Sequence, residues 1–96
     1  ADRPGLEIPA DSVSARKTWD KLLAGGRNLR FDDFAQLVEA FGFVHRRSSG
    51  SHKIYRHASV PRPLSLQPRN GQAKPYQVAQ FLAIVEEYGL TLERDG

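Results

Sequence analysis

Residues 43–57 read FVHRRSSGSHKIYRH: a short run, a break at Ser48-Ser49-Gly50, and a second short run. This is the pattern of two strands joined by a tight turn, because side chains alternate faces along a strand and glycine supplies the conformation that reverses the chain. The reading predicts strands over 43–47 and 51–57. Ala58 to Pro61 is expected to connect them to a third strand over 63–67, where Leu64 and Leu66 alternate with Ser65 and Gln67. Pro61 and Pro63 would be awkward in a central strand, so they are assigned to a connector or a strand start. Pro68 and Asn70-Gly71 then break the pattern.

Both flanks of this region are helical. On the N-terminal side, Phe34, Leu37, Val38 and Phe41 recur at helical spacing, which predicts a helix over 31–41 with Asp32 and Asp33 in its first turn and Gly42 as its stop. Further upstream, Ala15, Trp19, Leu22 and Leu23 share one face of a helix over 14–24, with Ser12 or Ser14 as N-cap and Gly25-Gly26 at its end. Trp19 suits a core or docking position better than a base-stacking platform. On the C-terminal side, Pro75 opens a helix over 75–88 with Val78, Phe81, Leu82 and Val85 as its apolar stripe. Its end, Val85-Glu86-Glu87-Tyr88-Gly89-Leu90, echoes Val38-Glu39-Ala40-Phe41-Gly42-Phe43, and reads as one stop signal used twice. The order α-α-β-β-β-α predicts an α+β domain, a three-stranded antiparallel sheet with helices on one face. Residues 1–12 are read as a flexible tail, 13–90 as the single domain and 91–96 as a C-terminal tail.

The other face of the sheet belongs to an unusual stretch. From Phe43 to Tyr76 there is no Asp or Glu, while all three histidines (His45, His52, His57) and seven of the fourteen Lys and Arg fall there. Charge of one sign gathered in one segment marks a surface for an anion, and a nucleic acid backbone is the most common extended anion. Elsewhere composition is restrictive. Ninety-six residues make one small domain, and the absence of Cys excludes disulfides and thiolate-ligated zinc. No apolar run is long enough to span a membrane, and the first residues lack the apolar stretch of a signal peptide, so cytoplasmic residence is expected.

The chemistry centres on Gly50-Ser51-His52. RNA can be cleaved without a metal when its 2′-OH attacks the adjacent phosphorus; a base takes the 2′-OH proton and an acid protonates the leaving 5′-oxygen. Imidazole serves either purpose near neutral pH. Arg46, Arg47, Lys53 and Arg56 lie close in sequence to His52 and can offset the charge that develops on phosphorus. A histidine on a strand is more often an ordinary half-exposed residue. Its face is left open by the sequence: if Ile54 points into the core, His52 lies on the core side, and if Tyr55 does, His52 lies on the open face. Tyr55 is itself either core or a base-stacking residue. His57 must face away from His52, whereas His45 can approach it across the hairpin, depending on register. A zinc site would need His45, His52 and a remote carboxylate, and is disfavoured. Arg62, Arg69 and Lys74 read as phosphate or partner contacts at the rim of the sheet.

In this setting Gly50-Ser51-His52-Lys53-Ile54-Tyr55-Arg56-His57 resembles the Gly-Ser-His strand of the HicA mRNA-interferase toxins. The helix ending in Phe41-Gly42-Phe43, the proline-flanked Leu64-Ser65-Leu66 and the last helix ending in Glu87-Tyr88-Gly89-Leu90 agree with it, and the resemblance covers about residues 29–90. It implies a fold like a double-stranded-RNA-binding domain and a metal-independent endoribonuclease that cleaves mRNA with His52 as catalytic residue and no cofactor. It also implies a HicB-type antitoxin as partner, the toxin being a monomer alone and part of a hetero-oligomer with it. Ser51, Arg46, Arg47, Lys53, Arg56, Arg62, Arg69 and Lys74 are the expected RNA contacts. The chain departs from many members at Lys53, where they carry a second histidine, and at Gln67-Pro68-Arg69, where they carry histidine after the third strand. Two other readings are a non-catalytic RNA-binding module of the same fold and a protein-interaction domain whose basic face docks an acidic partner.

Overall fold

The computed structural model describes residues 10–93, with side chains described from Ala15 onward. Its elements are α1 (Ala10–Leu23), α2 (Phe31–Ala40), β1 (Val44–Ser49), β2 (His52–His57), β3 (Val60–Leu66), the short β4 (Pro68–Arg69) and β5 (Gln72–Ala73), and α3 (Pro75–Tyr88). β1, β2 and β3 form an antiparallel sheet in that order, and β4 pairs with β5 as a separate hairpin. The fold is α+β with the order α-α-β-β-β-α.

Each helix ends where the sequence places its glycine. At α1, Gly25 N–H bonds Leu22 O and Gly26 N–H bonds Lys21 O; at α2, Gly42 N–H bonds Glu39 O and Phe43 N–H bonds Val38 O; at α3, Gly89 N–H bonds Glu86 O and Leu90 N–H bonds Val85 O. These nested pairs are one Schellman motif used three times, with a left-handed glycine in each. The start of α1 differs from expectation. It begins at Ala10, so Ser12 and Ser14 lie within the helix and do not cap it. Residues 1–9 of the expected tail lie outside the described residues. At the other end Leu92 packs against the core and Glu93 N–H bonds Ala40 O at 2.8 Å, so the chain stays docked through residue 93.

The core lies between the helices and one face of the sheet. Phe34, Leu37, Val38 and Phe41 of α2 and Val78, Phe81, Ile84 and Val85 of α3 meet Tyr55, Leu64 and Leu66 of the sheet. Phe81 is the hub: Phe34 and Phe41 meet its ring edge-on at 5.7 and 5.3 Å, an arrangement that adds to the burial gain. Trp19 stands edge-on to Phe41 at 4.8 Å, a packing role. Leu23, expected on the buried face of α1, is instead exposed, because the helix turns Ala15, Thr18 and Leu22 inward.

Three strand details depart from expectation. The first turn is Gly50-Ser51, one position later than expected, with Ser49 and His52 as the closing pair. Gly50 has φ +60 at the first turn position, where a two-residue hairpin of type II′ puts its glycine. The second turn is only Ala58-Ser59, and Pro61 and Pro63 lie inside β3. β3 tolerates them because it is an edge strand whose register slips opposite Arg56. Finally, Asn70-Gly71 does more than break a pattern. Both residues have positive φ and turn the β4–β5 hairpin. That hairpin is fastened to the segment before α2 by Phe31 N–H to Gly71 O and Ala73 N–H to Leu29 O, each 2.9 Å.

Candidate functional site

Tyr55 settles the face of His52. Tyr55 is 1% exposed against the helices, so its neighbours His52, Ile54 and Arg56 point to the open side of the sheet. Paired residues share a face, which places Val44 beside Arg56, Arg47 and Ser65 beside Ile54, and Ser49 beside His52 on the open side. A bulge makes this arrangement. The β1–β2 register shifts by one residue between His45 and Arg47, so Arg46 is extra. Without that residue His45 and Arg47 would share a face; with it, His45 pairs with Tyr55 on the helix side and Arg47 pairs with Ile54 on the open side.

His52 is exposed and has no hydrogen-bond partner among the described residues. Arg47 is its diagonal neighbour across the strand pair, a relationship that spans roughly 7–8 Å between Cα atoms. β1, β2 and β3 carry no acid, so nothing on these strands neutralises Arg47 or Arg56.

The other two histidines are occupied on the helix side. His57 is bonded at both nitrogens: Ser59 N–H donates to Nδ1 at 2.9 Å, which leaves Nε2–H to donate to Phe41 O at 3.1 Å. Its ring also stands edge-on to Phe43 at 5.0 Å. It is a bracket between the β2–β3 turn and the end of α2, with Glu93 Oε2 3.9 Å from Nε2. His45 Nε2 lies 3.1 Å from Ser48 Oγ, and its ring tilts over Tyr55. With His45 and His52 on opposite faces, the zinc arrangement that joined them is ruled out by geometry. No three His, Asp or Glu side chains among the described residues converge as metal ligands.

The remaining expected contacts divide into three places. Arg46 and Arg56 line a shallow concavity at the far end of the open face. Arg62 lies off that face, with its guanidinium 4.0 Å from Glu87 on α3, so its partner is an acid of the chain itself. Lys53 and Lys74 lie on the helix side near the first turn, and Ser51 is exposed in the turn itself. Lys53 Nζ sits 5.6 Å above the ring of Phe31, and Lys74 Nζ donates to Gln67 Oε1 at 2.7 Å. Arg69 is exposed on β4.

Gln67 entered the sequence reading only as a strand residue and as part of the Gln67-Pro68-Arg69 departure, with no role of its own. Its Nε2–H donates to Ser51 Oγ at 2.9 Å, and its backbone N–H donates to the buried Gln77 Oε1 at 3.1 Å. Lys74, Gln67 and Ser51 thus form a relay in which every donor points toward the turn before His52. Since Ser51 Oγ already accepts, its own O–H is left to donate outward. A polar residue directly after β3, followed by proline, was the local signal.

A family model described as HicA toxin of bacterial toxin-antitoxin matches residues 31–94, two thirds of the chain. No curated protein and no solved structure gives a match.

Proposed function

Because the chain belongs to the HicA toxin family of bacterial toxin-antitoxin systems, we propose that it is a metal-independent endoribonuclease that cleaves mRNA on the open face of its sheet. The observation that carries this reading is His52 itself: the one histidine with both ring nitrogens free among the described residues, on strands without a single carboxylate.

In this reading His52 takes the proton of the 2′-OH as its oxygen attacks phosphorus. The bond from phosphorus to the 5′-oxygen breaks, and the leaving oxygen takes a proton from water. His52 then returns its proton to the hydroxide that remains. The products are a 2′,3′-cyclic phosphate and a 5′-OH. Arg47 stabilises the negative charge gathering on the non-bridging oxygens, which its planar guanidinium can meet with two N–H donors at once. Ser51 donates its O–H to the same phosphate group from the turn. Arg46 and Arg56 extend the positive face, while Lys53, Arg69 and Lys74 supply charge along the other flank. Arg62, tied to Glu87, contributes least.

The partner is a HicB-type antitoxin that covers the open face, and both proteins act in the cytoplasm. Expression of the chain alone should arrest growth with mRNA breakdown, and His52→Ala should abolish both. Purified protein should release 2′,3′-cyclic phosphate ends from RNA in the presence of EDTA. Salt-sensitive RNA binding with no cleavage products, unaffected by His52→Ala, would instead make this a binding module.

A further inference from the structure

The sheet has a second built feature on its open side. At the end of β2 away from His52, a concavity of about 440 Å³ lies over Arg56, walled by Val44 and Arg46 of the first strand and by His57, Ala58, Val60 and Pro61 of the second hairpin. Register breaks on both sides of β2 shape it: Arg46 is the extra residue on one neighbour, and the Pro61–Pro63 stretch bows out of register on the other. Paired bulges at one end of a sheet re-aim side chains and open space that a regular sheet lacks.

Its chemistry is that of a nucleotide. Arg56 donates to Pro61 O at 3.3 Å, which fixes one corner of its guanidinium and leaves the other donors free. Arg46 has no ion pair among the described residues, and no acid lines the concavity. Val44, 53% exposed, adds an apolar surface beside the two guanidinium planes. Guanidinium forks bind phosphate oxygens bidentately, and their flat faces stack on bases. The cations on this face are all arginine, whereas the lysines Lys53 and Lys74 lie on the other side.

Four residues of strand separate Arg56 from His52, about 13 Å at the usual rise. One phosphate cannot reach both, but an extended single strand can, passing Arg47 and Ile54 between them. We propose that the concavity is a flanking-nucleotide subsite for single-stranded RNA, so that substrate lies lengthwise along β2 with one phosphate at His52 and a neighbouring nucleotide held by Arg46 and Arg56. This rests on the ribonuclease reading above and adds the path of the substrate.

Substrate length tests it. Cleavage of a trinucleotide and an octanucleotide RNA is compared for the wild type and Arg46→Ala/Arg56→Ala. The double variant should lose kcat/KM on the octanucleotide by about tenfold more than on the trinucleotide, mainly through KM. Arg46→Lys/Arg56→Lys, which keeps the charge and guards against a folding defect, should recover part of that loss. Equal losses on both lengths, or none on either, would overturn the subsite. A second arm does not depend on catalysis: fluorescence anisotropy of the labelled octanucleotide on His52→Ala, with and without the two arginine substitutions. If the wild type cleaves no RNA but the arginine pair still sets octanucleotide affinity, the ribonuclease reading fails and the subsite stands. If the pair affects affinity only for a protein antitoxin, the concavity is a protein contact and the proposal falls.

Discussion

His52 and Lys53 are consecutive in sequence and lie on opposite faces of β2. Lys53 reaches over the Phe31 ring at the start of α2, while His52 stands among arginine and serine side chains on the open side. Proximity in sequence is therefore a poor guide to which cation shares the face of His52. Arg47, five residues from His52 in the chain, is the better placed.

Kinetics should separate the two cations. Arg47→Ala should lower kcat/KM for RNA by about 10–100-fold, in line with loss of one charged stabiliser of about 1.5–3 kcal/mol. Lys53→Ala should cost at most a few-fold, since Lys53 is turned to the helix side over the Phe31 ring and can act on RNA only as a distant, screened charge. A larger effect at Lys53 than at Arg47 would move the substrate to the helix side.

The relay through Gln67 makes a sharper test. Gln67→Ala frees both Ser51 and Lys74 and loosens the turn before His52; kcat should fall while unfolding free energy drops only about 1 kcal/mol. Gln67→Glu keeps the Lys74 contact but can no longer donate to Ser51. The serine hydroxyl then turns inward to the carboxylate. This variant should keep wild-type stability in urea and still lose turnover, an outcome that simple loosening would not produce.

His57 should behave as a structural residue. His57→Ala removes the donor to Phe41 O, in a partly buried bond, and the acceptor of Ser59 N–H, in an exposed one. Stability should fall by about 2–3 kcal/mol, read as a lower midpoint in denaturant with an unchanged slope.

Tyr55 sets an alkaline limit. Burial, with a smaller contribution from Glu39, pushes its hydroxyl up from 10.0 to about 12. The folded state thus holds this proton after the unfolded chain has released it, so the stabilisation is complete below pH 10.0 and is lost as pH rises to about 12. The difference corresponds to an order of 2–3 kcal/mol. Urea melts across this range should show a steeper decline for the wild type than for Tyr55→Phe, which has no such proton to lose.

Much of the architecture was legible because its signals are local. The 3.6-residue periodicity of Phe34 to Phe41 and the glycine stops follow from short-range sterics, and the repeated stop signal read at α2 and α3 extends to α1. What was not legible depends on pairing. Whether Tyr55 or Ile54 turns inward is a choice between two faces of one strand, decided only by what the helices bring to it. The bulge at Arg46 leaves no mark in a strand of exposed residues, yet it determines which arginine joins His52. Gln67 could not be linked to Ser51, since the bond joins positions sixteen residues apart. The Asn70-Gly71 hairpin was the one signal that could have been read and was taken only as a break.

The prolines of β3 have a consequence beyond the local register. A three-stranded sheet has two open edges, each a row of backbone donors and acceptors on which a foreign strand can grow. Pro61 and Pro63 delete two of the donors along one edge, and the Arg46 bulge kinks the other and studs it with positive charge. A sheet so blunted resists templating fibrils or swapping strands with a second copy. It also directs any partner to the broad face of the sheet, where recognition must come from side chains and not from extension of the backbone ladder.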